Sequence, residues 1–120
     1  MKFLAPLIVA IAAAGLTTPA HATGGLICRT AGARPIVVSL GFGHVPGAPL
    51  ILTQLVDRGR IVPVSAAQWW LDNDEVRVVL VGANALREEL LLRAKRNGFV
   101  YDGSLWRSGK RRWVRCREDG

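Results

Sequence analysis

Residues 84–116 read NALREELLLRAKRNGFVYDGSLWRSGKRRWVRC, and the fold class depends on how this stretch is interpreted. Its first part, from Asn84 to Asn97, has the composition of a helix, with a capping residue at Asn84, acidic residues early and basic residues late. The same part runs into Asn97-Gly98, which is a strong signal for a two-residue β-hairpin turn. Propensity therefore favours a helix at 84–97, whereas the turn favours a strand.

Pairing across two tight turns favours strands over a helix. A turn at Asn97-Gly98 would set Ala94 opposite Tyr101, Leu92 opposite Gly103 and Leu90 opposite Leu105. A turn at Ser108-Gly109 would set Leu105 opposite Arg112, Gly103 opposite Val114 and Tyr101 opposite Cys116. Both turns assign Tyr101, Gly103 and Leu105 to one face, which we expect to be buried, while Arg93, Asp102 and Arg115 would form a row on the other face. We therefore favour strands, with a helix at 84–97 in an α+β fold as the alternative.

The rest of the chain has the rhythm of an antiparallel sheet, because short apolar segments alternate with turn residues. A turn at Asn73-Asp74 would place Leu71 opposite Val76, Trp70 opposite Arg77 and Trp69 opposite Val78, with a cation–π contact between Trp70 and Arg77. Pro63 marks an edge or a bulge. Predicted strands cover 35–42, 50–56, 60–64, 67–71 and 75–82. The sequence thus predicts an all-β domain of about eight short strands, a small barrel or sandwich.

Residues 1–22 are typical of a cleavable signal peptide, with Lys2, an uncharged apolar run from Phe3 to Leu16, and small residues at Ala20 and Ala22. We expect one domain over 23–120, exported to the periplasm or secreted, with no transmembrane segment. Its two cysteines, Cys28 and Cys116, lie near the two ends of that domain. In an oxidising compartment this placement favours a disulfide that brings the first segment beside the last strand.

The positive charge of the predicted domain is local. Between Arg93 and Arg117 there are nine basic residues and one acidic residue, whereas residues 23–92 carry six of each sign. Arginine binds phosphate and carboxylate through two parallel hydrogen bonds, and indole rings stack on sugars or lie at a membrane interface. The candidate ligand-binding residues share the solvent face of the last hairpin: Trp106, Arg111, Trp113, Arg115 and Arg117.

Catalytic chemistry is not visible in the sequence. The predicted domain has one histidine, His44, in a loop of glycine and proline with no acidic residue nearby, so we expect neither an enzyme nor a bound metal or cofactor. We expect instead a binding module for an anionic envelope polymer or glycolipid. Nucleic acid would be attracted to the same surface, but export makes it an unexpected physiological partner.

One family shares part of this pattern. The segments Gln68-Trp69-Trp70, Tyr101–Leu105 and Trp113–Cys116, together with Cys28, are similar to the membrane-bound lysozyme inhibitor (c-type) family. The resemblance implies an exported antiparallel barrel, a disulfide joining the first and last parts of the domain, and inhibition of a lysozyme-type protein as the alternative function. The family's inhibitory pattern of Ser-Gly-x-x-Tyr and Trp-x-Lys-Gly is absent, since Ser65 precedes Ala66 and Trp70 precedes Leu71. No inhibitory residue is therefore assigned.

Overall fold

A computed structural model of the protein describes residues 24–42 and 50–119. This part of the chain forms nine antiparallel strands. They are β1 (Gly24–Thr30), β2 (Ile36–Phe42), β3 (Leu50–Asp57), β4 (Arg60–Val62), β5 (Val64–Leu71), β6 (Glu75–Gly82), β7 (Glu88–Asn97), β8 (Val100–Arg107) and β9 (Lys110–Asp119). The all-β prediction is confirmed. The predicted signal peptide, 1–22, and the loop that contains His44 lie outside the described residues.

The strands form a single, nearly closed sheet in the order β4-β3-β2-β1-β9-β8-β7-β6-β5. Its outermost strands, β4 and β5, are consecutive in the chain and separated only by Pro63. Proline has no N–H to donate to a ladder, so it interrupts what would otherwise be one strand. The sequence predicts two separate strands here, at 60–64 and 67–71, so the ninth strand is the additional β1. The backbone itself connects the two edges of the sheet.

Pairing between β1 and β9 joins the first strand to the last, as the sequence predicts. Cys28 lies directly opposite Cys116 in this ladder, and their sulfur atoms form a disulfide. Side chains from β1, β2, β3, β6, β7, β8 and β9 point into one enclosed apolar core. Its largest fully buried members are Leu26, Leu55, Leu80, Leu90, Leu92 and Leu105.

The segment with helical composition forms a strand, so the alternative of a helix at 84–97 is wrong. β7 begins at Glu88, and Asn84 lies in the preceding turn, where its Oδ1 accepts a hydrogen bond from the Leu86 N–H at 3.2 Å. Leu90, Leu92 and Ala94 are buried whereas Arg93 and Lys95 are exposed, which is the alternation of a half-buried strand. Burial of this face outweighs the modest helix propensity of the segment.

The predicted register of the β7–β8 hairpin is wrong. Its turn lies at Gly98-Phe99, closed by the pair Asn97 and Val100, so Ala94 lies opposite Gly103 and Leu92 opposite Leu105. Gly98 occupies the first turn position with a φ of 68°, which glycine adopts without strain. The difference is two residues, so every side chain keeps its predicted face.

That shift also changes the predicted row of charges. Asp102 lies opposite Lys95 and Arg115, whereas Arg93 lies opposite Ser104. The predicted pairings across Ser108-Gly109 and across Asn73-Asp74 are confirmed. In the first of these turns Ser108 and Gly109 both have positive φ values, 54° and 76°, as a type I′ turn requires.

At Gly103 the backbone of β7 lies too close to β8 to leave room for a side chain. A Cβ atom added there would come within 2.5 Å of Ala94 Cα, and no flexible side chain could move aside. We expect Gly103→Ala to lower the free energy of unfolding by about 1–3 kcal/mol, as overpacking does in well-packed sites. Urea denaturation measures this change.

The matched control is Gly24→Ala, because nothing lies within 4 Å of a Cβ added at Gly24. We expect that variant to stay within about 0.5 kcal/mol of the wild type. Equal stability of the two variants would contradict the close approach of β7 and β8.

Candidate functional site

The five candidate ligand-binding residues all lie on the outer surface of the sheet. Trp106 is half-buried on β8, and the other four alternate with inward-facing residues along β9. Trp113 is 58% exposed. The structure separates these five residues into two groups, because Trp106, Arg111 and Trp113 lie in one region whereas Arg115 and Arg117 lie nearer the other end of β9.

Trp106, Arg111 and Trp113 belong to two rows that cross five adjacent strands, from β5 to β9. Residues directly opposite one another in neighbouring strands share a face, so the registers give the composition of each row. One row is Trp70, Arg77, Arg93, Ser104 and Trp113, and the next is Gln68, Val79, Leu91, Trp106 and Arg111. We call these ten residues the aromatic–basic face. It contains three arginines and three tryptophans but no carboxylate.

Trp70 and Arg77 form one corner of the aromatic–basic face. The Arg77 guanidinium lies over the Trp70 ring, with Cζ 5.7 Å from the ring centroid, which confirms the predicted cation–π pair. Trp70 Nε1 donates to Asp72 Oδ2 at 2.9 Å, and Arg77 Nε lies 3.6 Å from Glu75 Oε1. The ring is therefore held in place while its side chain stays 49% exposed.

Asp72 acts as an acceptor for this corner. Its carboxylate accepts the backbone N–H groups of Asp74 and Glu75 at 2.7 and 2.8 Å. These two bonds, followed by that from Trp70, lower the pKa of Asp72 below its usual value. Because hydrogen bonds to the ionised form favour that form, Asp72 stays charged and keeps the Trp70 indole oriented.

The opposite corner is built in a similar way from Trp106 and Arg111. Arg111 Cζ lies 5.9 Å from the Trp106 centroid, and its Nε donates to Ser104 Oγ at 2.8 Å. Ser104 is 7% exposed, so it is a fixed acceptor. Only one of the five N–H donors of Arg111 is used by the described residues, which leaves the guanidinium positioned and able to bind an anion.

Arg93 and Leu91 occupy the middle of the aromatic–basic face. Arg93 is exposed, and no ion pair within residues 24–42 and 50–119 involves Arg93 or Arg111. Leu91 and Val79 form an apolar strip beside Arg93. A surface hollow of about 310 Å³ lies between Trp70 and Arg93 along this strip.

Arg115 and Arg117 differ from the other three candidate residues. Arg115 holds Asp102 through two bonds, Nε to Oδ1 at 2.6 Å and Nη2 to Oδ2 at 3.1 Å, so its guanidinium is already engaged. The bond from Arg115, followed by that from Asn97, lowers the pKa of Asp102. Arg117 is exposed opposite Ile27 and Val100, two rows away from Trp113.

The sequence alone does not reveal that Trp70, Arg77 and Arg93 join the terminal hairpin in one surface. The pairing of Trp70 with Arg77 was predicted, but its position beside β7 was not. The signal was present in the succession of hairpins, since β6 pairs with β7 and β7 with β8. The predicted turn at Asn97-Gly98, which is wrong, placed Arg93 opposite Asp102. The row that joins Arg93 to Ser104 and Trp113 could therefore not be predicted.

Metal clusters and membrane-spanning helices are two further features that can be checked in the described residues. Within them, no group of three or more His, Cys, Asp or Glu side chains could hold a metal ion. Nor does this part of the chain contain a helix with the length and hydropathy needed to cross a membrane. No protein-family model, curated protein or solved structure matches the chain. The similarity to the lysozyme inhibitor family stays a prediction.

The bond between Asp102 and Arg115 predicts a specific dependence of stability on pH. Because the pKa of Asp102 is lower in the folded chain than in the unfolded one, about 3.9, the ionised group stabilises the fold above about pH 4. This contribution is lost as the pH falls through the folded pKa. We expect Asp102→Asn to melt below the wild type at pH 7 and the gap to narrow below about pH 4.

Thermal denaturation between pH 7 and pH 2.5 measures this gap. Arg115→Gln is the matched variant, because it removes the partner and leaves the carboxyl group, and its gap should narrow over the same pH range. A gap that stays constant for both variants would show that the bond is not formed in solution.

Proposed function

We propose that this protein is an exported, non-enzymatic binding module whose aromatic–basic face contacts an anionic component of the cell envelope, an acidic polymer or a glycolipid. The observation that carries the proposal is the arrangement of three tryptophans and three arginines in two adjacent rows with no carboxylate among them. The disulfide between Cys28 and Cys116 is compatible with export.

The chemistry of the aromatic–basic face suits a ligand with both sugar and acidic groups. Arg93 and Arg111 supply guanidinium forks that fit phosphate or carboxylate oxygens. Trp70 and Trp113 lie at the two ends of one row, where their exposed rings are available to stack on the apolar faces of sugar rings. Leu91 and Val79 between them favour a ligand with some apolar surface. Lipopolysaccharide and acidic cell-wall polymers are envelope components that combine sugar rings with acidic groups.

Removing two guanidiniums from the aromatic–basic face tests the electrostatic part of the proposal. We expect Arg93→Gln with Arg111→Gln to weaken binding to purified lipopolysaccharide at least about 10-fold, because charge-assisted hydrogen bonds contribute about 1.5–3 kcal/mol each. Isothermal titration calorimetry at low and at high salt measures the loss. The wild-type affinity should also fall as salt is added.

The matched control is Arg29→Gln with Arg117→Gln, which removes the same charge from exposed positions outside the aromatic–basic face. We expect this pair to change the affinity less than about 3-fold. Equal losses in both double variants would mean that binding depends on net charge alone, and the proposal of a defined face would be rejected.

Removing an indole ring tests the stacking part separately. We expect Trp113→Ala to weaken binding about 3- to 10-fold, and this loss should persist at high salt because stacking is not screened. Phe99→Ala is the control, since Phe99 is 94% exposed at the β7–β8 turn, outside the aromatic–basic face. The same titration measures both variants, and an equal effect of the two would argue against stacking at Trp113.

The lysozyme-inhibitor alternative predicts a different result in the same assays. A salt-resistant, stoichiometric complex with a lysozyme, together with loss of the lysozyme's activity, would replace the envelope-binding proposal. Long-range repulsion acts against such a complex when the lysozyme is cationic, because this chain has a formal net charge of +7.

A further inference from the structure

A second basic region lies at the end of the sheet where β3 turns into β4. The residues around it come from separate parts of the chain: the β1–β2 connection, the β3–β4 turn, β4, and the last residue of β8. They enclose a hollow of about 640 Å³ lined by Arg34, Asp57, Arg58, Arg60, Val62 and Arg107. We call it the arginine hollow. None of these residues belongs to the aromatic–basic face.

Arg107 anchors the arginine hollow. Its side chain is 14% exposed, and it bonds to two carboxylates, through Nε to Asp57 Oδ2 at 2.6 Å and through Nη1 to Glu89 Oε1 at 3.0 Å. Burial alone would lower the pKa of Arg107, but the bonds to Asp57 and Glu89 outweigh it and raise the pKa. The positive charge of the Arg107 guanidinium therefore largely compensates the negative charge of Asp57.

Two of the remaining three arginines of the hollow carry uncompensated charge. Arg34 and Arg60 are exposed and take part in no ion pair or side-chain hydrogen bond within the described ranges, whereas Arg58 Nε lies 3.8 Å from Asp57 Oδ1. Four guanidiniums thus stand against the two carboxylates of Asp57 and Glu89, a net charge of +2. Among the described residues, no aromatic side chain lines the hollow.

We propose that the arginine hollow is a binding site for a doubly charged oxyanion of the phosphoryl type, either free phosphate or a phosphomonoester on a larger molecule. Guanidinium forks match the oxygens of such a group, and the charge of the site matches that of the dianion. The concave shape lets arginines from different parts of the chain reach one ligand. Without an aromatic platform, the site recognises the phosphoryl group rather than a ring attached to it.

Inorganic phosphate is the direct probe. We expect saturable binding of one phosphate to the wild-type chain at pH 8, where the dianion predominates, in calorimetric titrations against sodium chloride of equal ionic strength. Arg34→Gln with Arg60→Gln should weaken it at least about 10-fold. Both side chains are exposed and unpaired within the described residues, so this variant is expected to fold, which circular dichroism verifies.

Two control variants complete the test. Arg29→Gln with Arg117→Gln, which removes equal charge elsewhere, should bind phosphate like the wild type. Arg93→Gln with Arg111→Gln should also keep phosphate binding, so the arginine hollow and the aromatic–basic face can fail independently. Lack of saturable phosphate binding, or equal losses in all three double variants, would overturn the proposal.

A second ligand distinguishes a site for free phosphate from a site for a phosphomonoester on a larger molecule. Glucose 1-phosphate, a monoester, is titrated beside inorganic phosphate. Equal affinities indicate a site for the free ion, and tighter binding of the monoester indicates a phosphorylated headgroup. In either case the Arg34→Gln, Arg60→Gln variant should lose the interaction, and its retention would overturn the proposal.

Discussion

Hydrogen bonding between β1 and β9 turns a linear series of hairpins into a sheet with an enclosed interior. Without it, both strands would expose a row of unpaired N–H and C=O groups, and the core would be open on one side. The disulfide between Cys28 and Cys116 fixes this pairing at a sequence separation of 88 residues. Chain-entropy arguments put the stabilisation from a loop of this length at about 4–5 kcal/mol. For a domain of this size, that is a large share of the usual stability.

Both ends of the enclosed interior are covered by arginine. At one end Arg107 bonds to Asp57 and Glu89, and at the other Arg96 lies over the Tyr101 ring with Cζ 4.7 Å from the centroid. Arg96 also bonds to the Tyr101 hydroxyl at 3.0 Å, and that hydroxyl donates to the Asp72 carbonyl oxygen at 2.8 Å. The segment from Arg93 to Arg117 looks uniformly basic in the sequence. Some of its basic residues, such as Arg96 and Arg107, therefore have structural roles.

Local signals predicted most of the sheet because tight turns fix register. Ser108-Gly109 and Asn73-Asp74 gave correct pairings, and the alternation of Leu90, Leu92 and Ala94 identified a strand despite its helical composition. The Asn97-Gly98 pair was misleading because glycine with positive φ can occupy either turn position, and the choice depends on tertiary contacts. Ala94 must face Gly103, where the two backbones approach too closely for a side chain. Such a constraint is invisible before the strands are paired.

The candidate sites were less predictable than the fold, since they combine residues from distant segments. Arg34, Arg58 and Arg60 come from a part of the sequence whose charges balance, so a linear view of charge does not reveal the arginine hollow. The position of Arg93 is also hard to predict, because its neighbours depend on both the β6–β7 register and the β7–β8 register. A turn in the sequence predicts which residues of two successive strands lie opposite each other. A surface that crosses many strands depends on every one of these registers, so a single wrong register changes its predicted composition.

The two rows of the aromatic–basic face run across the strands rather than along them. Neighbouring strands lie about 4.8 Å apart, so a row of five strands spans about 19 Å. Backbone hydrogen bonds fix the distances between the strands, so the side chains of each row lie at fixed spacings. On the proposed function, an acidic polymer with a compatible repeat would contact several of these guanidiniums, whereas a small anion would contact one. Each further acidic group of the polymer would then bind at a high effective concentration, so the length of the polymer would become a source of discrimination.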